Sequence, residues 1–168
     1  MVYIALLMSV VLVAADQLTK YLVVTYVEPV GSVNLIQIGD KQILNFTYCE
    51  NTGAAFSILE GQRWFLCVAV ALVVGAALFL LLSKRVTKPT HVWGAALVIA
   101  GGAGNLIDRV LLGYVVDFID FRFIHFAIFN VADICAVCGT LFLAAVLLIE
   151  EIKEIKKTND DKKTHTDG

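Results

Sequence analysis

The sequence predicts an all-α membrane protein with four transmembrane helices and a small extracytoplasmic β-hairpin, or cradle, between helices 1 and 2. Of the 168 residues, 59% are hydrophobic and 17% are charged, and the mean hydropathy is +0.81. Soluble domains contain about 45–50% apolar residues, so this composition argues against a soluble protein. Since one crossing takes about 20 residues, four crossings leave room for no second domain. A net charge of −2 provides no basic surface for nucleic acid.

Long apolar runs predict the helices at about residues 3–27, 64–82, 92–110 and 131–149. In short loops, positively charged residues stay in the cytoplasm. Three basic residues lie in the 83–90 loop, and five lysines follow Ile149. The two basic segments are therefore predicted to be cytoplasmic, together with both termini, and the connecting segments 28–63 and 111–129 to face outward.

The segment at about residues 30–50 predicts the β element. Leu44, Phe46 and Tyr48 alternate with polar residues and face Val33 and its neighbours across a Gly39–Asp40 turn, a pattern typical of a hairpin. Residues 1–150 then form one membrane domain. The polar segment 151–168 is predicted to continue the last helix into the cytoplasm and then to become a disordered tail.

Acidic residues inside an apolar chain are candidates for function, because a charge in the bilayer core costs several kcal/mol. The candidates are Asp16, Asp108, Asp117 and Asp133. With the predicted orientation and a rise of about 1.5 Å per residue, all four lie near the outer membrane face. This convergence follows from the topology alone.

Some of these residues also have purely structural interpretations. Asn105, Asp108 and Arg109 share one face of helix 3, where they could form a packing cluster, and Arg109 could in addition orient a carbonyl. Asp16 and Lys20 are spaced i, i+4 and could neutralise each other. Both interpretations stay open at the level of sequence.

Asp117 is harder to explain structurally than its neighbours. Asn51 fits a turn before helix 2, and Asn130 with Asp133 has the spacing of a capping box. Neither motif accounts for Asp117, which lies in an apolar segment. Two carboxyl groups in a partly dry site share a proton, and such a pair can activate water and protonate a leaving amine. Asp117 and Asp133 are therefore predicted to form an aspartic dyad.

Other chemistries have weaker support. The few serines have no histidine or lysine at a matching depth, which argues against a serine or cysteine hydrolase. Cys135 and Cys138 form a C-x-x-C pair without a second pair, which favours packing over metal or redox use. No metal or other cofactor is expected, so chelators should leave the activity intact. A proton-coupled transporter and a non-catalytic scaffold remain as alternatives.

Five sequence blocks then point to a family. They are 16–20 (DQLTK), 51–56 (NTGAAF), 101–109 ending in GNLIDR, 115–118 (VVDF) and 129–133 (FNVAD). In this order they resemble the lipoprotein signal peptidases, the bacterial signal peptidase II family, over about residues 3–150. The interval between Asp117 and Asp133 is short for the family, which predicts a trimmed lid-like loop.

The resemblance implies an aspartic endopeptidase that removes signal peptides from diacylglyceryl-modified prolipoproteins, cutting on the N-terminal side of the lipidated cysteine. Its catalytic pair corresponds to Asp117 and Asp133. Residues that shape the site or bind substrate correspond to Asp16, Lys20, Asn51, Gly53, Asn105, Asp108, Arg109, Asn130 and Ala132. The implied partners are the prolipoprotein and membrane lipids, with a monomeric enzyme. The depsipeptide globomycin inhibits the family, so sensitivity is expected.

Overall fold

The computed structural model describes residues 1–54, 58–124 and 126–166, with side chains as far as Thr158. Within these ranges the chain forms four α-helices, which are α1 (Val2–Tyr26), α2 (Arg63–Leu82), α3 (Pro89–Leu111) and α4 (Val131–Thr166). Each is long and apolar enough to cross a membrane. The four predicted helices are therefore confirmed.

Two helix ends differ from the prediction. Helix α3 begins at Pro89 rather than near residue 92, because proline fits the first helical turn, where its missing N–H removes no hydrogen bond. Helix α4 continues to Thr166, so the prediction of a disordered tail is wrong as far as that residue. Beyond Ile149, Glu150 is followed by Lys153 and Glu154 by Lys157, which supports a helix of this kind because opposite charges spaced i, i+3 attract each other.

Helix α3 lies at the centre of the bundle and contacts each of the other three helices. Glycines allow the close approach of α4. A Cβ atom added at Gly104 would lie 2.7 Å from Asp16 Oδ2 and 2.9 Å from Ala132 Cβ. At one end of the bundle, Ala5 and Leu81 belong to a buried apolar cluster formed by α1, α2 and α3. The polar residues lie toward the other end.

The described residues also contain a three-stranded antiparallel sheet, with β1 (Ser32–Ile38), β2 (Lys41–Asn51) and β3 (Val115–Phe121) in that order. The predicted hairpin forms, with Val33 opposite Phe46. The sequence predicts no strand between the third and fourth helices, but Val115–Phe121 forms one that pairs with β2. An all-α class with a single hairpin is thus correct only in part. The third strand comes from a pairing between distant segments, which local sequence patterns do not reveal.

The sheet is held over the end of the bundle by an apolar cluster. Val116 and Phe118 of β3 pack with Val23 and Val27 near the end of α1. The Phe118 ring also meets Phe46 of β2 edge to face, with centroids 5.3 Å apart. Because side chains alternate along a strand, burying Val116 and Phe118 on this face turns Asp117 toward the other face.

Candidate active site

Buried polar residues converge where α1, α3, the start of α4 and the sheet meet. The structure places six of the predicted site residues there with at most 7% of their surface exposed, namely Asp16, Lys20, Asp108, Arg109, Asp117 and Asn130. Asp133 is partly buried at the start of α4. The convergence predicted from topology is therefore present in the fold.

Asp117 stands in β3 opposite Cys49 of β2. Its Oδ2 accepts a hydrogen bond from Asn51 Nδ2 at 2.9 Å, and its Oδ1 accepts one from Asn130 Nδ2 at 2.7 Å. Burial, followed by the nearby charge of Asp133, raises the pKa of Asp117 to about 7, although the two amide donors act in the opposite direction. Near neutral pH, Asp117 can therefore hold or release a proton.

Asp133 lies in the first turn of α4. Its Oδ1 accepts Asn105 Nδ2 at 2.7 Å, and its Oδ2 accepts the backbone N–H of Asn130 at 3.1 Å. In return, Asn130 Oδ1 accepts the Asp133 N–H at 2.9 Å. This reciprocal pair is the predicted capping box. It orients the Asn130 amide, because an oxygen engaged in the cap leaves the nitrogen to face Asp117.

The two carboxyl groups thus share Asn130 as a common donor. Each of their four oxygens accepts one N–H, from Asn51, Asn105 or Asn130. A carboxylate oxygen has two lone pairs, so each keeps one for a proton, a water molecule or a substrate group. The arrangement supports general acid–base chemistry by the pair.

Lys20 lies behind the pair in a buried charge cluster. Its Nζ is 2.9 Å from Asp16 Oδ2, 2.8 Å from Asp108 Oδ2 and 3.0 Å from Asn105 Oδ1. The predicted ion pair between Asp16 and Lys20 is therefore present. Asp108 forms its ion pair with Lys20 of α1, whereas the cluster considered from the sequence grouped it with Asn105 and Arg109 of its own helix. Asp16 Oδ1 also accepts the backbone N–H of Ala132 at 2.8 Å, which brings Ala132 into the site through its main chain.

Arg109 connects α3 with the turn that follows β2. Its Nη2 donates to the Gly53 carbonyl at 2.6 Å, so the prediction that this guanidinium orients a carbonyl holds for a carbonyl of the chain itself. Gly53 N–H donates to Asn51 Oδ1 at 3.0 Å, which aligns the amide that serves Asp117. Arg109 Nε is buried and has no hydrogen-bond partner among the described residues.

A pocket of about 520 Å³ opens beside the pair and is lined by Asn51, Asn105, Arg109, Asp117 and Asp133. Its remaining wall is mostly apolar and includes Ile128, Phe129, Ile134 and Val137. Neither Asp16, Lys20 nor Asp108 lines this pocket. A ligand with an apolar portion and a polar backbone would match the two kinds of wall.

The two cysteines of the C-x-x-C pair lie in different surroundings. Cys135 is buried, whereas Cys138 is exposed and lines the pocket. Burial, with a smaller effect from the Asp117 charge, raises the pKa of the Cys49 thiol, so this neighbour of the pair stays protonated and is a poor nucleophile. Among the residues that the structure describes, no group of three or more metal-binding side chains occurs.

Sequence reasoning missed two residues that support the site. Gln17 Nε2 donates to Asp108 Oδ1 at 2.9 Å and to the Gly104 carbonyl at 3.2 Å. Arg63, at the start of α2, donates to the carbonyls of Arg109 and Val110 at 2.6 and 2.7 Å and so caps α3. A polar Gln17 beside Asp16 inside an apolar run was the available signal for the first. No local signal indicates the second.

A carboxylate pair beside an apolar pocket in a polytopic membrane protein defines the class as a membrane-embedded hydrolase. Residues 8–149 match the family model of signal peptidase (SPase) II. The lipoprotein signal peptidase of Streptococcus thermophilus (strain CNRZ 1066) is 44% identical over 140 residues, which cover 83% of this chain and 89% of the relative. The corresponding protein of Caldanaerobacter subterraneus subsp. tengcongensis is 42% identical over 147 residues, covering 85% and 97% of the two chains.

A solved bacterial membrane enzyme has the same fold, with a TM-score of 0.75 and 31% identity over 88% of each chain. The chain belongs to the signal peptidase II family and is a protease. The resemblance read from the five blocks is confirmed, and the transporter and scaffold alternatives are set aside.

Proposed function

We propose that this protease removes signal peptides from diacylglyceryl-modified prolipoproteins, cutting on the N-terminal side of the lipidated cysteine, and that Asp117 and Asp133 are its catalytic pair. Family membership supports the reaction. One observation carries the assignment of residues, namely that both carboxyl groups bind the same Asn130 and line the same pocket. No metal or cofactor enters the proposal.

In the resting enzyme Asp117 carries the proton, in line with its raised pKa, and Asp133 is ionised. The charged form of Asp133 is stabilised by its two N–H donors and by the positive end of the α4 dipole. Asp133 takes a proton from water while the water oxygen attacks the scissile carbonyl carbon. Asp117 gives its proton to the carbonyl oxygen. The resulting gem-diol collapses when Asp133 protonates the leaving nitrogen and Asp117 regains its proton.

Substrate is held by the polar and apolar walls of the pocket. Arg109 lines the pocket, where its positive charge would orient a backbone carbonyl near the scissile bond and stabilise developing negative charge. The apolar wall along Ile134 and Val137 of α4 supports an apolar part of the substrate. Both features fit a signal peptide joined to a lipidated residue.

The charge distribution supports an extracytoplasmic active site with both termini in the cytoplasm. The site lies at the end of α3 that contains Asp108, whereas Lys84, Arg85 and Lys88 lie between α2 and α3 at the opposite end. Positive residues in short loops stay cytoplasmic. The proposal includes a monomeric enzyme, with membrane lipids surrounding the helices.

The test is cleavage of a diacylglyceryl-modified prolipoprotein by membranes that contain equal amounts of wild type, Asp117→Asn or Asp133→Asn. Both variants should lose cleavage. Asp120→Asn is the matched control, because Asp120 is a buried carboxylate of the same strand that binds Thr47 and Arg122 instead of the pair. Normal cleavage by Asp117→Asn or Asp133→Asn would overturn the assignment.

A further inference from the structure

Lys20 makes an unusual set of contacts for a residue that does not line the pocket. Its side chain is 4% exposed, and its ammonium lies within 3.0 Å of oxygens from Asp16, Asp108 and Asn105. An ammonium has three N–H donors, so the three oxygens can engage all of them. The first acceptor is on α1 and the other two are on α3.

Each of these three acceptors also forms a hydrogen bond with a member of the catalytic pair or with the backbone of the residue before it. Asp16 Oδ1 accepts the N–H of Ala132, the residue before Asp133, at 2.8 Å. Asp108 Oδ2 accepts the N–H of Val116, the residue before Asp117, at 3.2 Å.

Asn105 provides the third connection. Its Nδ2 donates to Asp133 Oδ1 at 2.7 Å, while its Oδ1 faces Lys20 at 3.0 Å. Asn130 Nδ2 donates to the same Asn105 Oδ1 at 3.0 Å. The lysine and Asn130 together therefore fix which way this amide points, since an amide flipped by half a turn would place its N–H groups against the ammonium.

We propose that Lys20 is a positioning residue of the catalytic pair. Its ammonium joins three hydrogen-bonded connections, here called tethers, that set the spacing and orientation of Asp117 and Asp133. This inference rests on the proposed function. The three tethers run from Lys20 through Asp16, Asp108 and Asn105, and they reach α4 and β3 from α1 and α3. Helix α4 and strand β3 belong to different layers of the fold, so a common centre of attachment keeps their two carboxyl groups in register.

The chemistry of lysine suits this role. A compact ammonium can meet three oxygens at a single point, whereas the planar guanidinium of arginine spreads its donors along a fork. The ammonium also offsets the charges of two buried carboxylates, which would otherwise repel each other across the site. Lys20 reaches the reaction through other residues, because it is absent from the pocket wall.

The experiment compares wild type, Lys20→Met and Lys20→Arg, purified in detergent, by the kcat, KM and pH profile for cleavage of a diacylglyceryl-modified prolipoprotein. Misplacing reacting groups by about 1 Å costs on the order of 100-fold in rate, so Lys20→Met should lower kcat about 100-fold with KM within about threefold. Lys20→Arg keeps the charge but changes the geometry and should lower kcat about tenfold. Lys88→Met is the matched control, because it removes an exposed lysine paired with Glu150 and should leave the kinetics unchanged.

The pH profile separates positioning from loss of folded enzyme. Lys20 lowers the pKa of Asp117 by its charge, so Lys20→Met should move the alkaline limb of kcat to higher pH. A smaller amount of folded enzyme would leave the limb in place. The charged groups of the described residues that face Lys20 and the pair are Asp16, Asp108, Arg109, Asp117 and Asp133.

The outcomes distinguish failure of the positioning role of Lys20 from failure of the proposed function. Unchanged kcat in Lys20→Met, or a lower kcat with an unmoved alkaline limb, overturns the positioning role. A rise in KM alone also overturns it, because the lysine would then act on substrate. If Lys20→Met does not fold, an unchanged kcat in Lys20→Arg overturns the inference instead. Cleavage by Asp117→Asn or Asp133→Asn would refute the proposed function independently of any result at Lys20.

Discussion

At the residue scale, Asn130 shows how one side chain serves both folding and chemistry. Its Oδ1 caps α4 through the N–H of Asp133, and its Nδ2 donates to Asp117. The structural and functional interpretations considered for the capping box are therefore compatible. Several residue types can cap a helix. Asparagine suits this position because its amide offers an acceptor for the cap and a donor for Asp117 together.

This double role gives a prediction for Asn130→Ser. Serine also caps helices, so the start of α4 should stay ordered, but its hydroxyl cannot also reach Asp117 as a donor. The cleavage rate should fall by about 10- to 100-fold with a loss of unfolding free energy of about 1–3 kcal/mol for the unmade hydrogen bond. Steady-state cleavage and detergent unfolding of Asn130→Ser measure the two effects. Asn34→Ser in exposed β1 is the control, and equal rates in the two variants would contradict the argument.

A second prediction at this scale concerns pH. The pKa of Asp117 is raised from its ordinary value of 3.8 to about 7, so the carboxyl group is protonated below about pH 7 and ionised above it. Because the proposed mechanism needs this proton, kcat should fall about tenfold per unit as the pH rises above the pKa. A pH–rate profile with a stable substrate checks this. A rate that keeps rising to pH 9 would place the required proton elsewhere.

At the element scale, the sequence predicts the helices well and the sheet incompletely. Apolar runs of bilayer length define a helix from local composition alone, which is why all four helices were predicted within a few residues. The continuation of α4 beyond residue 149 was also predicted, but not that it extends to Thr166. Strand β3 depends on pairing with β2, where Asn51 lies opposite Val115. Such a pairing leaves no local periodicity, so the sequence offers Asp117 as a candidate but does not predict the strand that contains it.

The site follows the same pattern. The four acidic residues were predicted because charges are rare in apolar runs. Their partners were not predictable, because spacing along a helix says nothing about contacts between helices. The tethers from Asp108 to Val116 and from Asp16 to Ala132 join residues of different elements. Only the fold reveals them.

Helix packing at α3 gives a prediction at this scale. A Cβ atom at Gly104 would lie 2.7 Å from Asp16 Oδ2, so Gly104→Ala should displace the carboxylate that binds Ala132 N–H. We expect a loss of about 1–3 kcal/mol in unfolding free energy and a lower cleavage rate. Gly75→Ala in α2 is the matched control, since nothing lies within 4 Å of its added Cβ. Alanine there should be neutral or stabilising by about 0.5–1 kcal/mol.

Detergent-based unfolding of the two alanine variants, measured side by side with cleavage, tests this packing argument. Equal unfolding free energies of the two variants would contradict the argument that α3 needs a glycine at residue 104.

At the scale of the whole molecule, the two ends of the helix bundle differ in the residues they contain. One end holds the apolar cluster around Ala5 and Leu81 and the basic residues between α2 and α3. The other end holds the sheet and the buried carboxyl groups. Helices α3 and α4 run in opposite directions between these ends, so the end of α3 and the start of α4 can supply facing halves of one site.

This polarity predicts the topology of the chain. Lys84, Arg85 and Lys88 should hold their loop in the cytoplasm, which places the Gly39–Asp40 turn outside and the end of α4 inside. Alkaline phosphatase, which folds only outside the cytoplasm, should be active when inserted at this turn and inactive when fused after Thr158. Green fluorescent protein at the same two positions should give the opposite pattern. Phosphatase activity at Thr158 with fluorescence at the turn would invert the topology and move the active site to the cytoplasmic face, where a translocated, lipidated substrate could not reach it.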